Sequence, residues 1–243
     1  MNNYIEYFTN YIYKNYDMND KLINLKYYHS LRVAKLMYIL SKKMNLDEMD
    51  CILAFKLGLC HDLGRFFEVV RNGKFDNLVF DHGAYSNKIL YNDLFINYMD
   101  INEHLLFRKA IYNHNKKDVT SDLNKREELF THMLRDIDKL DIIDLHSKNR
   151  VYYFNSQPNK NVISNYFNDE SIDIKDLSSK TDAVILYLSF FKDLYFKASH
   201  DLANDYNYFK NFIKIVEVDE EKEEIFNSLI NKLNEERGKV YVR

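Results

Sequence analysis

The chain has 243 residues, of which 46% are hydrophobic, 29% charged and 15% aromatic. This length and composition allow one large domain with a substantial core. The net charge of −3 excludes a broad basic surface for nonspecific nucleic-acid binding. No stretch of 18 consecutive apolar residues is present, so no membrane span is predicted.

The first strong pattern is helical and carries a histidine on its apolar side. One proline and five glycines in the whole chain favour long helices over a turn-rich β fold. Between residues 25 and 44, His29 is followed by Val33, Leu36 and Leu40, so that these residues are spaced by four, three and four positions. These steps place His29 on the face of the helix that points to the core.

The next predicted helix ends at a histidine followed by an aspartate. Asp47 is its expected N-cap, and its apolar stripe leads to His61-Asp62. Gly64 is then expected to end the helix. The segment 66–81, which contains an Asn-Gly pair, is predicted to form a loop over the site.

Two further histidines fall at the edges of predicted helices. Asp81 is a plausible cap for a helix that begins near His82. Another helix is predicted from about 103 to 113, and its apolar residues recur at steps of four. His114 continues that apolar face at the end of the helix.

A strongly helical stretch from 125 to 147 combines an apolar stripe with three aspartates. Asp136, Asp138 and Asp141 lie beside or within the apolar arc. A helix exposed to solvent rarely arranges its acids in this way. The stretch is therefore predicted to contribute a carboxylate to a buried site.

The rest of the chain also reads as helical. Residues 176–216 form an aromatic helical region, and 220–238 form a charged amphipathic helix. We therefore predict an all-α protein with a single domain over residues 1–243. Its metal-binding core is expected at about 25–147, followed by a helical C-terminal extension at about 160–243.

The side chains gathered by these patterns suit a metal. Neutral imidazoles and carboxylates bind divalent first-row metals, and they are costly to bury without a partner. A second His-Asp pair, His200-Asp201, has no matching partners and is interpreted as structural. His104, His132 and His146 are likewise assigned to packing or capping.

The order of these residues resembles the HD-domain superfamily of metal-dependent phosphohydrolases. The matching features are His29, the run His61-Asp62-x-Gly-Arg, and an acidic helix, and they cover about residues 25–145. The later Asp-His, Asn-His-Asn and Arg-Asp-x-Asp-Lys-Leu-Asp runs also look like one bacterial branch. That branch implies the fold and the metal but no defined substrate.

The resemblance also implies which aspartate completes the site. In the superfamily the ligand usually stands in an Ala-Asp-Lys/Arg-Leu context, which is similar to 137–140 here, so Asp138 is chosen. Asp136 is the reserve, either as ligand or as a residue that orients a ligating histidine. Helical geometry alone leaves both open.

His82 and His114 decide how many ions the site holds. In members with two metals, Asp62 would bridge the ions and these two histidines would bind the second one. Alternatively, the two side chains contact substrate or pack as ordinary core histidines. We favour two divalent transition-metal ions, drawn from Mn, Fe, Ni, Co and Zn.

Such a site predicts hydrolysis of a small phosphorylated substrate. The nucleophile would be hydroxide generated on the metal, which attacks a nucleotide-like phosphomonoester or phosphodiester. Asp62 is assigned a catalytic role because it ligates and orients this nucleophile. Arg65 is assigned to phosphate contact, with a salt bridge to Glu68 as the alternative. Asn113 and Lys116 are weaker candidates for substrate contact.

Two other functions share the same ligand order. HD-type di-iron oxygenases resemble it as well, and they use dioxygen to cleave C–C or C–P bonds. A non-catalytic nucleotide-binding regulatory module is the third hypothesis. Oxygen consumption would indicate the oxygenase, and oxygen-independent phosphate release would indicate the hydrolase. Tight nucleotide binding without turnover would indicate the regulatory module.

The aromatic C-terminal third has a structural and a functional interpretation. The clusters at 152–154, 190–191 and 206–209 are favoured as core packing or the face of a homodimer. The alternative is a wall that stacks on a nucleobase.

The compartment is predicted from the cysteines and the N-terminus. Cys51 and Cys60 form no Cys-x-x-Cys motif and are interpreted as core thiols in a reducing environment. Residues 1–4 are neither basic nor followed by an apolar segment, so no signal peptide is expected. A cytoplasmic protein is therefore predicted.

Overall fold

Helices account for nearly all regular structure in the computed structural model, which describes residues 1–75, 80–92 and 101–238. This confirms the predicted all-α fold. Two short 3-10 helices, Ile174–Asp176 and Glu220–Lys222, accompany the longer elements. In chain order these elements are α1 (Asn2–Asn15), α2 (Lys21–Lys43), α3 (Glu48–Cys60), α4 (Leu63–Asn72), α5 (His82–Asn92), α6 (Ile101–Asn113), α7 (Lys125–Asn149), β1 (Tyr152–Phe154), α8 (Lys160–Phe167), α9 (Lys180–Lys192), α10 (Lys197–Asp205), α11 (Tyr208–Ile213), β2 (Val216–Val218) and α12 (Glu223–Gly238).

The chain divides into two compact units. Unit 1 comprises Met1–Ile137 and unit 2 comprises Asp138–Arg243, and the boundary falls within α7. The assignment of residues 1–243 to a single domain remains a prediction. Among the described residues, no helix has both the length and the apolar character that crossing a membrane requires.

Aspartates cap the N-termini of α2, α3 and α5, and the sequence predicted the caps of α3 and α5. Asp20 accepts hydrogen bonds from the first-turn amides of α2, and Asp47 accepts one from Asp50 N at 2.8 Å. Asp81 accepts one from Ala84 N at 3.1 Å. These carboxylates satisfy amides that a helix N-terminus otherwise leaves without partners.

Helices α2 and α3 pack closely against each other in unit 1. Gly58 lies at their crossing, where an added Cβ would stand 2.7 Å from Ala34 Cα. Since real Cβ atoms do not approach that closely, only glycine lets the two backbones meet here. The close contact brings the inner face of α2, with His29, against the C-terminal end of α3, with His61.

The loop predicted over residues 66–81 is wrong for residues 66–72, which belong to α4 (Leu63–Asn72). Phe66 and Val69 are buried on one side of this helix, and it ends at Gly73, whose φ is +66°. Residues 76–79 of the predicted loop lie outside the described residues.

Gly64 does not end a helix, as had been expected, but lies in the first turn of α4. A Cβ at this position would stand 2.3 Å from the carbonyl oxygen of His82. Its role is therefore to let α4 and α5 approach each other closely. The sequence pattern could not distinguish this packing role from that of a helix breaker.

Unit 2 departs from the predicted pattern in its two short strands. The region 176–216 is helical as predicted and contains three helices, α9 to α11. Strands β1 and β2 pair in parallel, with Tyr152 opposite Val216 and Phe154 opposite Val218. Strands of three residues are too short to show a period-two pattern in the sequence.

The aromatic residues of unit 2 pack against one another in its core, in agreement with the packing interpretation. The ring of Phe154 lies 5.3 Å from that of Phe226, and Phe212 contacts both Tyr152 and Phe191. All five side chains are buried. Such aromatic contacts contribute area and geometry to a core.

The cysteines behave as the sequence suggested. Cys51 and Cys60 are both buried and not joined by a disulfide. Burial raises the pKa of the Cys60 thiol, so this group stays protonated as a core side chain.

Candidate metal centre

Four imidazoles surround one carboxylate in unit 1. The carboxylate belongs to Asp62, which lies between α3 and α4. All five side chains are buried. The histidines come from four places in the chain, namely His29 in α2, His61 after α3, His82 at the start of α5 and His114 after α6.

One pair of histidines faces one oxygen of the carboxylate. The Nε2 atoms of His29 and His61 each lie 3.5 Å from Asp62 Oδ2. The same two nitrogens are 3.2 Å from each other.

The second pair faces the other oxygen in nearly the same geometry. The Nε2 atoms of His82 and His114 lie 3.6 and 3.5 Å from Asp62 Oδ1, and 3.2 Å from each other. Oδ1 is buried, yet it accepts no hydrogen bond of normal geometry within the described residues. A buried acceptor in this state is costly unless another group engages it.

Backbone carbonyls fix the orientation of two of the rings. Nδ1 of His61 lies 2.8 Å from Gly58 O, and Nδ1 of His114 lies 2.6 Å from Ile111 O. Because a carbonyl only accepts hydrogen bonds, these Nδ1 atoms donate, and the Nε2 atom of each ring faces the centre. This outer bonding is characteristic of histidines that bind metals.

The charges around the site favour protonation states of Asp62 and His82 that are able to bind a metal. Burial alone would raise the pKa of Asp62, but the Lys26 ammonium and the His61 ring hold that pKa well below its usual range. Burial and the Arg65 guanidinium lower the pKa of His82 well below its usual value. The carboxylate is thus ionised and the imidazole neutral, as ligation requires.

The two halves fit a divalent transition metal in size and chemistry. In each half, two imidazole nitrogens and one Asp62 oxygen lie within 4.8 Å of one another. Imidazole and carboxylate ligands suit manganese, iron, cobalt, nickel and zinc. The orphaned Oδ1 atom supports the same assignment, since a cation would satisfy it.

Lys26 is a site residue that the sequence reasoning missed. Its Nζ donates a hydrogen bond to Asp62 Oδ2 at 2.6 Å, and the side chain is buried. It lies three residues before His29 and therefore on the same face of α2. That spacing is the signal that could have revealed it.

Arg135 was also missed as a residue that supports the site. Its guanidinium donates from Nη1 to the carbonyl of Asn113 at 2.8 Å and to that of His114 at 3.2 Å. These bonds hold the end of α6 to α7. The position of His114 therefore depends on α7 as well as on its own helix.

Arg65 forms the salt bridge with Glu68 that the sequence analysis gave as the alternative to phosphate contact. Its Nη1 lies 2.8 Å from Glu68 Oε2, and its Nε lies 3.9 Å from Asp62 Oδ1. The salt bridge with Glu68 is thus present and holds the guanidinium beside the carboxylate. Phosphate contact by Arg65 remains a prediction.

The two weaker substrate candidates have partners in the protein. The Asn113 amide donates to Lys109 O and accepts from Thr120 N, both at 2.9 Å, which secures the segment after α6. Lys116 is paired with Asp81. Despite partial burial, this bond lowers the pKa of Asp81. Roles for Asn113 and Lys116 in substrate binding remain predictions.

The aspartates of α7 fall on both sides of the boundary between the units. Asp136 is buried in unit 1, whereas Asp138 is half-buried and begins unit 2. The choice of Asp138 as ligand, with Asp136 in reserve, remains a prediction. His200 contacts the carbonyl of Leu194 through Nε2 at 3.2 Å, in line with its structural assignment.

The comparison with protein families assigns the region that contains the site. Residues 27–145 match the family model described as HD domain. Comparisons with curated proteins and with solved structures gave no significant match. HD domains are generally metal-dependent phosphohydrolases, and the matched range includes all five residues of the cluster as well as Asp138. Residues 27–145 of this chain therefore form an HD domain.

Proposed function

We propose that this protein is a metal-dependent phosphohydrolase that cleaves a phosphomonoester or phosphodiester in a small nucleotide-like molecule. The observation that carries the proposal is the division of the Asp62 carboxylate between two pairs of histidines. The absence of a net basic charge favours a small substrate over a nucleic acid.

Two divalent ions are proposed, drawn from manganese, iron, nickel, cobalt and zinc. When bound, such ions supply a water of lowered pKa and Lewis-acid sites for phosphoryl oxygens. The residues that would hold them are His29 and His61 for one ion, His82 and His114 for the other, Asp62 for both, and Asp138 as a further ligand.

The chain's own residues would position the reactants. Asp62 is ionised, so its oxygens can hold the ions and accept a hydrogen bond from the attacking water. Arg65, held by Glu68, would donate to a phosphoryl oxygen as charge develops there. The rings of His61 and His114 are already oriented by carbonyls, so little reorganisation is needed.

The test begins with elemental analysis of protein purified without added metal. The metal found is then restored, and a panel of nucleotide monoesters and diesters is assayed with and without oxygen. Release of phosphate or of a nucleoside monophosphate that is independent of oxygen supports the proposal. Oxygen consumption with an organic substrate would instead indicate an oxygenase. Tight binding without turnover under all five metals would indicate a regulatory module.

A matched pair of variants identifies the aspartate of α7. Asp138→Asn should weaken metal binding, whereas Asp136→Asn should leave the metal count unchanged and alter affinity less. The reverse order would transfer the ligand role to Asp136. Isothermal titration with Mn²⁺ distinguishes the two results.

A further inference from the structure

We propose that Lys26 is an anion-binding residue of this centre, which neutralises Asp62 before metal binds and engages a phosphoryl oxygen of the substrate afterwards. The inference rests on the proposed function for its substrate class. It adds a coupling that the ligand set alone does not imply, because metal and anion binding would strengthen each other through this one side chain.

The charge of Lys26 is compensated by Asp62. Its ammonium is buried, and Asp62 is the one carboxylate within ion-pair distance of it in the described part of the chain. A buried charge needs such a partner, since desolvation is not otherwise compensated. Lys26 therefore depends on Asp62 for its compensation.

A bound metal would compete with Lys26 for the same oxygen of Asp62. Lys26 donates to Asp62 Oδ2, and this atom also faces the Nε2 atoms of His29 and His61. A divalent ion bound to Asp62 Oδ2 would be neutralised by the same negative charge that now compensates the Lys26 ammonium. Lys26 would then have a cation as neighbour and would require a new anion.

A phosphoryl group is the anion best suited to pair with Lys26 once a metal is bound. A lysine ammonium is a compact charge on a flexible stem, and it is a common ligand of phosphate. Phe75 lies beside it, with its ring centroid 5.3 Å from Nζ, a distance that suits a cation–π contact. On the other side of Asp62, Arg65 already has Glu68 as partner. Lys26 is thus the cation that gains most from a phosphoryl group.

The consequence is reciprocal linkage between metal and anion. If the anion restores the compensation that the metal removed, phosphate must tighten metal binding, and the metal must tighten phosphate binding by the same factor. Couplings of this kind usually change affinity by about 5- to 150-fold.

The test measures Mn²⁺ affinity by titration, with and without inorganic phosphate, for the wild type and three variants. Lys26→Met removes the charge, and Lys26→Arg retains it. Lys56→Met is the matched control, because Lys56 is another buried lysine of unit 1 and lies over the Tyr4 ring.

We expect phosphate to tighten Mn²⁺ binding about tenfold in the wild type. Lys26→Met should bind Mn²⁺ more tightly than the wild type without phosphate and should lose most of the phosphate effect. Its metal-free form should also melt at a lower temperature, since Asp62 then lacks its partner. Lys26→Arg should retain the phosphate effect, and Lys56→Met should behave as the wild type does.

An undiminished phosphate effect in Lys26→Met would overturn the inference, as would the absence of any phosphate effect in the wild type. Should Lys26→Met fail to fold, Lys26→Gln takes its place under the same criteria. Failure of the proposed function is a separate result. It would appear as metal-loaded wild type that hydrolyses no ester, whatever the titrations show.

Discussion

Histidines in units 1 and 2 differ in the partners that surround their rings. In unit 2, His146 is placed between two tyrosine hydroxyls, with Nδ1 bonded to Tyr152 and Nε2 lying 3.3 Å from the Tyr187 oxygen. In unit 1, four Nε2 atoms face one another in pairs across the Asp62 carboxylate. A hydrogen-bonded imidazole is therefore no sign of a metal. The sign is the convergence of several imidazole nitrogens on one ionised carboxylate.

The largest expected effect concerns the shared carboxylate. Asp62→Asn removes the charge common to both histidine pairs and should abolish binding of both ions, together with turnover. Loss of an outer partner of a ligand already costs roughly 10- to 100-fold in affinity, so loss of this ligand should exceed about 100-fold. Elemental analysis and Mn²⁺ titration measure it. Asp201→Asn in the structural His-Asp pair is the control, and retention of both ions in Asp62→Asn would contradict the account.

The next effect separates the two halves of the site. His82→Ala removes an imidazole on the Oδ1 side alone, which is one of the proposed ligands of the second ion. The metal content should fall from two ions to one while the pair on the Oδ2 side keeps its ion. An unchanged metal count in this variant would refute the two-ion hypothesis and leave the first ion in place.

A smaller effect tests the packing that brings α4 and α5 together. Gly64→Ala forces a Cβ against the His82 carbonyl and should cost about 1–3 kcal/mol of unfolding free energy, with weaker binding of the second ion. Gly73→Ala meets no neighbour but adopts a φ of +66°, so it should cost about 1 kcal/mol and leave metal binding unchanged. Denaturant unfolding and Mn²⁺ titration compare the two. Equal metal affinities in both variants would argue against the role given to Gly64.

The smallest effect lies in unit 2 and concerns pH. Burial lowers the pKa of His146 from 6.5 to about 4. Between these values the unfolded chain binds a proton that the native state does not, so this residue makes stability fall as pH drops from about 6.5 towards 4. His146→Phe should reduce that pH dependence. The measurement is the unfolding free energy from pH 7 to pH 5, and an unchanged slope would contradict the assignment.

Local spacing predicted the inner face of α2 and the Asp47 and Asp81 caps, whereas the resemblance to the HD-domain superfamily supplied the histidines proposed as ligands. The role of Lys26 was not predicted, because lysine is usually exposed and its partner Asp62 lies 36 residues away in the sequence. Helix α4 was not predicted, because Gly64 was interpreted as the end of a helix. In the structure its lack of a side chain allows close contact with α5. Features that depend on distant parts of the chain become visible only after folding.

The most direct test is an anomalous diffraction map of crystals of the protein reconstituted with Mn²⁺. The account predicts two peaks on opposite oxygens of Asp62, one beside His29 and His61 and the other beside His82 and His114. A map with no peak at Asp62, from protein that binds Mn²⁺ in solution, would contradict the central claim.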